Sequence, residues 1–194
     1  MKLLIAAVSF VLYGVVCFGQ EKALALDERG KLIYYEVVEI KGSPKDSLAG
    51  RALSHLKKMP IAIKIDSMSG DTTISASGKM AISKNTLSMA RPLGQVTYNL
   101  YVEVKTGKYR FWLTNFVFIP YMRDRYGNFV PSTAIGSPLE RDPGKLAAAD
   151  WDGYKKITAR EAAAFAENFK KAMATSIVAE TAVKPKPAIS TKNW

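Results

Sequence analysis

Gln95-Val-Thr-Tyr-Asn-Leu-Tyr-Val-Glu-Val-Lys-Thr-Gly-Lys-Tyr-Arg-Phe-Trp-Leu-Thr-Asn-Phe-Val-Phe-Ile119 consists of two long runs of Tyr, Val, Phe and Trp on either side of Thr106-Gly107. β-Branched and aromatic residues favour the pleated surface of a strand, and a glycine in a two-residue connection suits a hairpin turn, so the segment predicts a β-hairpin. With Thr106 and Gly107 in the turn, Lys105 faces Lys108, Glu103 faces Arg110, Tyr101 faces Trp112 and Asn99 faces Thr114. The other face then pairs Val104 with Tyr109, Val102 with Phe111 and Leu100 with Leu113. Side chains alternate with period two, so this register sorts the ribbon into an aliphatic face for the core and a second face of charge, hydroxyl and aromatic rings. That second face is either open to water or covered by something amphipathic.

Working upstream, Leu32 to Ile40 is rich in Tyr, Val and Ile and follows a polar turn at Asp27-Glu28-Arg29-Gly30, which predicts a strand. Ser43-Pro44-Lys45-Asp46 predicts a helix start, with Ser43 as the capping hydroxyl and Pro44 at the first helical position. Leu48, Ala52, Leu53, Leu56 and Met59 recur at helical spacing as one buried stripe that ends before Pro60. Ile61, Ile63 and Ile65 alternate with polar neighbours as in a half-buried strand, and Ala76 to Lys84 predicts another, with Met80 and Ile82 inward. Downstream, 120–156 holds four prolines, several glycines and little periodicity, which predicts a long surface loop. Thr158-Ala159-Arg160-Glu161 matches a capping box, and Ala162, Phe165, Ala166, Phe169, Met173 and Ile177 trace the buried face of a second helix. The order β-α-β-β-β-β-α predicts an α+β fold, an antiparallel sheet of about five strands with both helices on one face.

The chain opens like a secretory signal: Lys2, then an apolar run from Leu3 to Phe18, with Gly19 suited to cleavage before Gln20. The expected organisation is a signal peptide over 1–19, a single domain over 20–183, and a disordered basic tail over 184–194 rich in Lys, Pro, Ser and Thr. Export to the periplasm or cell surface of a Gram-negative bacterium follows as an expectation. The lone Cys17 leaves with the signal, so the mature chain is expected to have neither a disulfide nor a thiol nucleophile. Lipidation at Cys17 is disfavoured by the branched Val16 before it. Cleavage lowers the formal charge only from +11 to +10. The cations are scattered rather than gathered into a stripe, which argues against nucleic acid and leaves membrane contact through the basic surface open.

Ala25-Leu-Asp-Glu-Arg-Gly-Lys-Leu-Ile-Tyr-Tyr-Glu-Val-Val-Glu39, the helix opening Ser43-Pro44-Lys45-Asp46, and Gly107-Lys108-Tyr109-Arg110-Phe111 together resemble a domain-of-unknown-function family. Its members are short exported proteins of Gram-negative bacteria with a fold described as TATA-binding-protein-like. The resemblance spans roughly residues 25–119. It implies the fold derived above and brings no activity and no catalytic residues; a shared saddle-like sheet does not imply DNA binding, because function resides in sites rather than folds.

No catalytic, metal or cofactor set emerges from the residues. His55 is the single histidine, which leaves histidine-rich metal clusters without ligands and makes a structural imidazole the expectation. Ser54-His-Leu-Lys57 and Lys105-Thr-Gly107 match two signatures of serine penicillin-binding enzymes, but Ser54 falls in mid-helix and the Lys-Thr-Gly at a hairpin tip, against the context that chemistry needs. Glu140, Asp142, Asp150, Asp152 and Gly153 offer oxygen ligands without the spacing of a calcium loop. The second hairpin face is the stronger candidate: Tyr101, Trp112, Glu103 and Arg110, with Lys64 and Lys79 from neighbouring strands, can stack rings and pair charges with a partner. The expectation is a non-enzymatic binding or assembly module whose partner is another envelope protein, a peptide or a glycan. Its rivals are a hydrolase using carboxylates such as Asp66, Asp142 or Asp150, and an electrostatic binder of anionic polymer.

Overall fold

The predicted hairpin forms, as β5 (Ala90–Lys105) and β6 (Lys108–Arg123), with Lys105 opposite Lys108, Glu103 opposite Arg110 and Tyr101 opposite Trp112. Gly107 takes φ +76°, a conformation with no Cβ penalty for glycine, and closes the turn. Its N–H donates to the Ser43 carbonyl (3.0 Å) and its carbonyl accepts from Ile40 (2.8 Å), so the hairpin tip is tied to the chain entering the first helix. These relations come from a computed structural model that describes residues 23–59, 62–70, 72–85, 90–145 and 147–175. The expected signal peptide and basic tail lie outside the described residues.

Around the hairpin stand β1 (Ala25–Leu26), β2 (Leu32–Glu39), α1 (Lys45–Lys57), β3 (Ile63–Ser69), β4 (Thr73–Asn85), β7 (Phe129–Pro131), β8 (Ser137–Pro138) and α2 (Ala148–Ala174). The sheet runs β1-β2-β6-β5-β4-β3, with every pairing antiparallel. β2 therefore pairs with β6 on one side of the hairpin and β4 with β5 on the other, and α1 carries the chain across one face between them. Val96, Tyr98, Leu100, Val102 and Val104 of β5 and Tyr109, Phe111 and Leu113 of β6 share the covered face with Leu48, Ala52 and Leu56 of α1 and Phe165, Ala166, Phe169 and Met173 of α2. Phe169 is the hub, its ring edge-on to Phe111 (5.1 Å), Tyr109 (5.9 Å) and His55 (5.8 Å). Full burial of such a side chain contributes about 1.5–3 kcal/mol. The α+β class and the placement of both helices on one face agree with the sequence.

Four expectations need correction. Among the described residues the strands number eight rather than about five, because β1, β7 and β8 are two or three residues long and carry too few side chains to show a period. About half of the loop expected over 120–156 is helix or strand: β6 continues to Arg123, β7 and β8 pair with it, and α2 reaches back to Ala148. Thr158 is thus no cap but a buried mid-helix residue whose Oγ1 donates to the Tyr154 carbonyl at 2.8 Å. Packing of the half-buried Trp151 and Tyr154 against Phe118, with centroids 6.0 and 4.3 Å away, overrides the turn-forming Asp150, Asp152 and Gly153. Ser43 does not cap α1 with its side chain either; Pro44 occupies the cap position in extended conformation, and its carbonyl accepts the first helical hydrogen bond, from Leu48.

Alternation on β6 breaks once. Asn99 pairs with Thr114 but Thr97 pairs with Val117, and Asn115 in the extra length has φ +55°. The bulge makes Leu113 and Thr114 consecutive buried residues and turns Phe116 and Phe118 inward in place of Asn115 and Val117.

Candidate functional site

The face opposite the helices carries a row of rings set by strand register. Tyr35 of β2 and Tyr101 of β5 both lie opposite Trp112 of β6. Tyr101 stacks on Trp112 with centroids 5.3 Å apart and planes at 22°, and Tyr35 tilts against its other side at 6.5 Å. One position along the same face, Val37, Arg110 and Glu103 form the adjoining row. Arg110 donates to Glu103 Oε2 at 2.7 Å from Nε and lies 2.6 Å from it through Nη2, while its Cζ sits 5.4 Å from the Trp112 ring centre. Hydrogen bonding to Glu103, and secondarily to Tyr35, raises the guanidinium pKa, so its charge is fixed.

The β1–β2 turn supplies the rim. Asp27 Oδ1 accepts from the backbone N–H groups of Arg29 (2.9 Å) and Lys31 (2.8 Å), and Oδ2 accepts from Arg29 Nη2 (2.7 Å). Led by the Lys31 N–H, these bonds hold the Asp27 carboxyl below its ordinary value. Rim and rings enclose a depression of about 630 Å³, with Ile33, Thr114 and Asn115 completing its wall. Its two guanidinium groups each face a carboxylate, so it is amphipathic rather than cationic.

Of the six residues expected at the site, Tyr101, Glu103, Arg110 and Trp112 come together as the register requires. Lys64 and Lys79 do not join them; they line a second depression of about 530 Å³ with Ser77, Thr97 and Asn99. The reason is position along the strands: Lys79 pairs with Thr97, beyond Asn99, whereas Tyr101 pairs with Ser75. Asn115 borders both depressions. Tyr35, Val37 and Arg29 belong to the first site although the sequence did not single them out. The only sequence signal for Tyr35 and Val37 is the outward phase of the 32–40 alternation, and which strand they pair with is a long-range fact; Arg29 comes with the polar turn 27–30. Among the described residues, none of the segment 120–156 lines the first depression; Leu139 is buried, the Trp151 indole donates to its carbonyl (3.0 Å), and Glu140 accepts from the Leu32 N–H (2.9 Å).

The remaining candidates lie elsewhere. His55 packs on Phe169 with Nε2 buried and unpartnered among the described residues. Ser54 and Lys57 are in α1, remote in chain and element from the turn holding Lys105-Thr106-Gly107. Asp66 accepts a hydrogen bond from Ser77, Asp142 accepts from the Gly144 N–H at 2.9 Å, and Asp150 sits in the first turn of α2. Among the described residues no cluster of three or more His, Cys, Asp or Glu side chains is arranged to hold a metal.

The hairpin, its flanking strands and α1 are the segment on which a family comparison turns. Residues 34–119 match the family described as a domain of unknown function (DUF4468) with TBP-like fold. The resemblance read from the sequence therefore holds, and the fold it implied is the fold observed. Two solved structures share the architecture. A TBP-like protein from Parabacteroides distasonis superposes with a TM-score of 0.61 at 14% identity, over 80% of this chain and 99% of that one. A DUF4468 family protein from Bacteroides ovatus gives 0.56 at 15% identity, over 78% and 91%. At these identities the likeness is one of fold alone. No curated protein matches the chain.

Proposed function

We propose that this protein is a non-enzymatic binding or assembly module of the bacterial envelope, which grips its partner with the outer face of the sheet. The observation that carries this reading is the row Tyr35–Trp112–Tyr101, set in a depression of about 630 Å³ with the Arg110–Glu103 pair beside it. Three adjoining rings give a large apolar contact at low conformational cost, and a paired guanidinium and carboxylate add oriented donors and acceptors without a net field. Such a face suits an amphipathic partner, a peptide segment of another envelope protein or a glycan, better than a polyanion. The carboxylates considered for hydrolysis lie on separate elements, Asp66 held by Ser77, Asp142 by the Gly144 N–H and Asp150 in the first turn of α2, which favours binding over catalysis.

The test is native mass spectrometry of the processed protein released from its cell envelope without denaturation, beside a Tyr101→Ala/Trp112→Ala variant. A stoichiometric companion on the parent and none on a variant of equal thermal midpoint is the expected result. Equal capture by both proteins overturns the reading.

A further inference from the structure

The far end of β6 leaves the main sheet and pairs with β7 as a separate two-stranded ribbon, Met122 opposite Val130 and Arg123 opposite Phe129. Its turn is braced from within. Asp124 Oδ1 accepts from the N–H groups of Tyr126 (2.8 Å) and Asn128 (2.9 Å), Oδ2 accepts from Asn128 Nδ2 (3.2 Å), and Gly127 takes φ +82°. These bonds, that of the Asn128 backbone foremost, hold the Asp124 carboxyl below its ordinary value, so the one acid of the ribbon is engaged inside the turn.

On this braced support the apolar side chains face water: Met122 is 52%, Tyr126 73% and Phe129 36% exposed. Each neighbouring cation lies on a ring, Arg123 with Cζ 5.1 Å from the centre of Phe129 and Arg125 at 4.8 Å from Tyr126. Strand register brings two more cations to the same end. Gly94 pairs with Pro120, which places Arg91 beyond it toward the ribbon, and Lys84 pairs with Arg91. Lys84, Arg91, Arg123 and Arg125 are all exposed.

We propose that this end of the sheet docks on the surface of an anionic lipid bilayer, with Met122, Tyr126 and Phe129 entering the headgroup boundary and the four cations facing lipid phosphates. Two observations select lipid over a macromolecular surface. Met122 and Phe129 occupy successive register pairs and so lie on opposite faces of the ribbon, which denies a flat partner both contacts but lets a fluid interface cover them together. The mixture of ring, thioether and guanidinium also matches the amphipathic interfacial layer, where aromatic residues settle and basic residues meet anionic headgroups. The proposal is independent of the ring-lined depression.

The experiment is flotation of the processed protein with vesicles of phosphatidylcholine alone or mixed with phosphatidylglycerol. Binding to the mixed vesicles only is expected. A Met122→Ser/Tyr126→Ser/Phe129→Ser variant is expected to bind about tenfold or more weakly, because three interfacial apolar contacts are lost. An Arg123→Gln/Arg125→Gln variant is expected to flatten the salt dependence of binding. Since the ribbon variants risk local unfolding, a second measurement places an environment-sensitive dye at Tyr126→Cys in the otherwise unchanged protein, where a blue shift on mixed vesicles is expected. Failure of the parent protein to float, undiminished flotation of the triple variant, or a dye that stays in water while the protein floats overturns the proposal; the last would assign membrane contact to another basic segment.

Discussion

Arg51 of α1 reaches across to α2 and donates from Nη1 to the Met173 carbonyl at 2.8 Å. The last carbonyls of a helix lack intrahelical partners and form its negative end, so a buried guanidinium there satisfies a hydrogen bond and an electrostatic need at once. Arg51→Ala is expected to lower unfolding free energy by about 1–3 kcal/mol, read from the urea midpoint. Arg51→Lys should recover part of it, since Lys keeps the charge without the planar fork. An unchanged midpoint in the alanine variant would mean that water replaces the guanidinium at no cost.

Gly78 of β4 lies directly under the ring of Tyr98 on β5: a Cβ there would come within 2.3 Å of Cζ. Burial pushes the Tyr98 phenol up to about 12, so the ring stays neutral and packed at all ordinary pH. Gly78→Ala should cost about 1–3 kcal/mol by overpacking. In the Tyr98→Leu background the same change should cost clearly less, a coupling that a double-mutant cycle measures directly.

His55 supplies a pH signature. Desolvation, assisted by Lys58, lowers its pKa from 6.5 in the folded protein. The unfolded chain therefore binds the proton more readily, so the stability due to neutral His55 is fully present above pH 6.5 and declines as pH falls below it. Thermal midpoints measured from about pH 7 down to pH 5 should fall, and His55→Gln should flatten that part of the slope, because no other histidine titrates there. A slope that persists in the variant would place the linkage elsewhere.

At the bulge, Asn115 holds φ +55°, which glycine adopts freely and β-branched residues resist. Asn115→Gly should change stability by about 0.5 kcal/mol or less, while Asn115→Val should cost about 1–2 kcal/mol. Chemical denaturation of the pair checks both.

The legible part of the fold was the part written in local periods. The hairpin register followed from strict alternation on either side of Gly107, and the ring face followed from the register. Both helical stripes were visible because Leu48, Ala52 and Leu56, and likewise Phe165, Phe169 and Met173, repeat at turns of a helix. The bulge was hidden because Phe116-Val117-Phe118-Ile119 is apolar at every position and marks neither phase. The first turns of α2 were hidden because Asp150, Asp152 and Gly153 favour a turn locally, and only contact with Phe118 and Leu139 decides otherwise. Tyr35 entered the site through β2–β6 pairing across more than seventy residues, a relation no window on the chain contains.

The extra residue at Thr114–Asn115 also sets what kind of change this protein tolerates. Upstream of it, Arg110 and Trp112 point to the open face; downstream, Phe116 and Phe118 point to the core. Deleting one residue there would put one half of β6 out of phase with its neighbours, so either the rings would be driven into the interior or the phenylalanines out of it. Between Trp112 and Phe116, chain length is therefore constrained more tightly than residue identity. A change of length in the β6–β7 turn, by contrast, would shift only the short β7 against the end of β6 and would leave the pairing of the main sheet in phase.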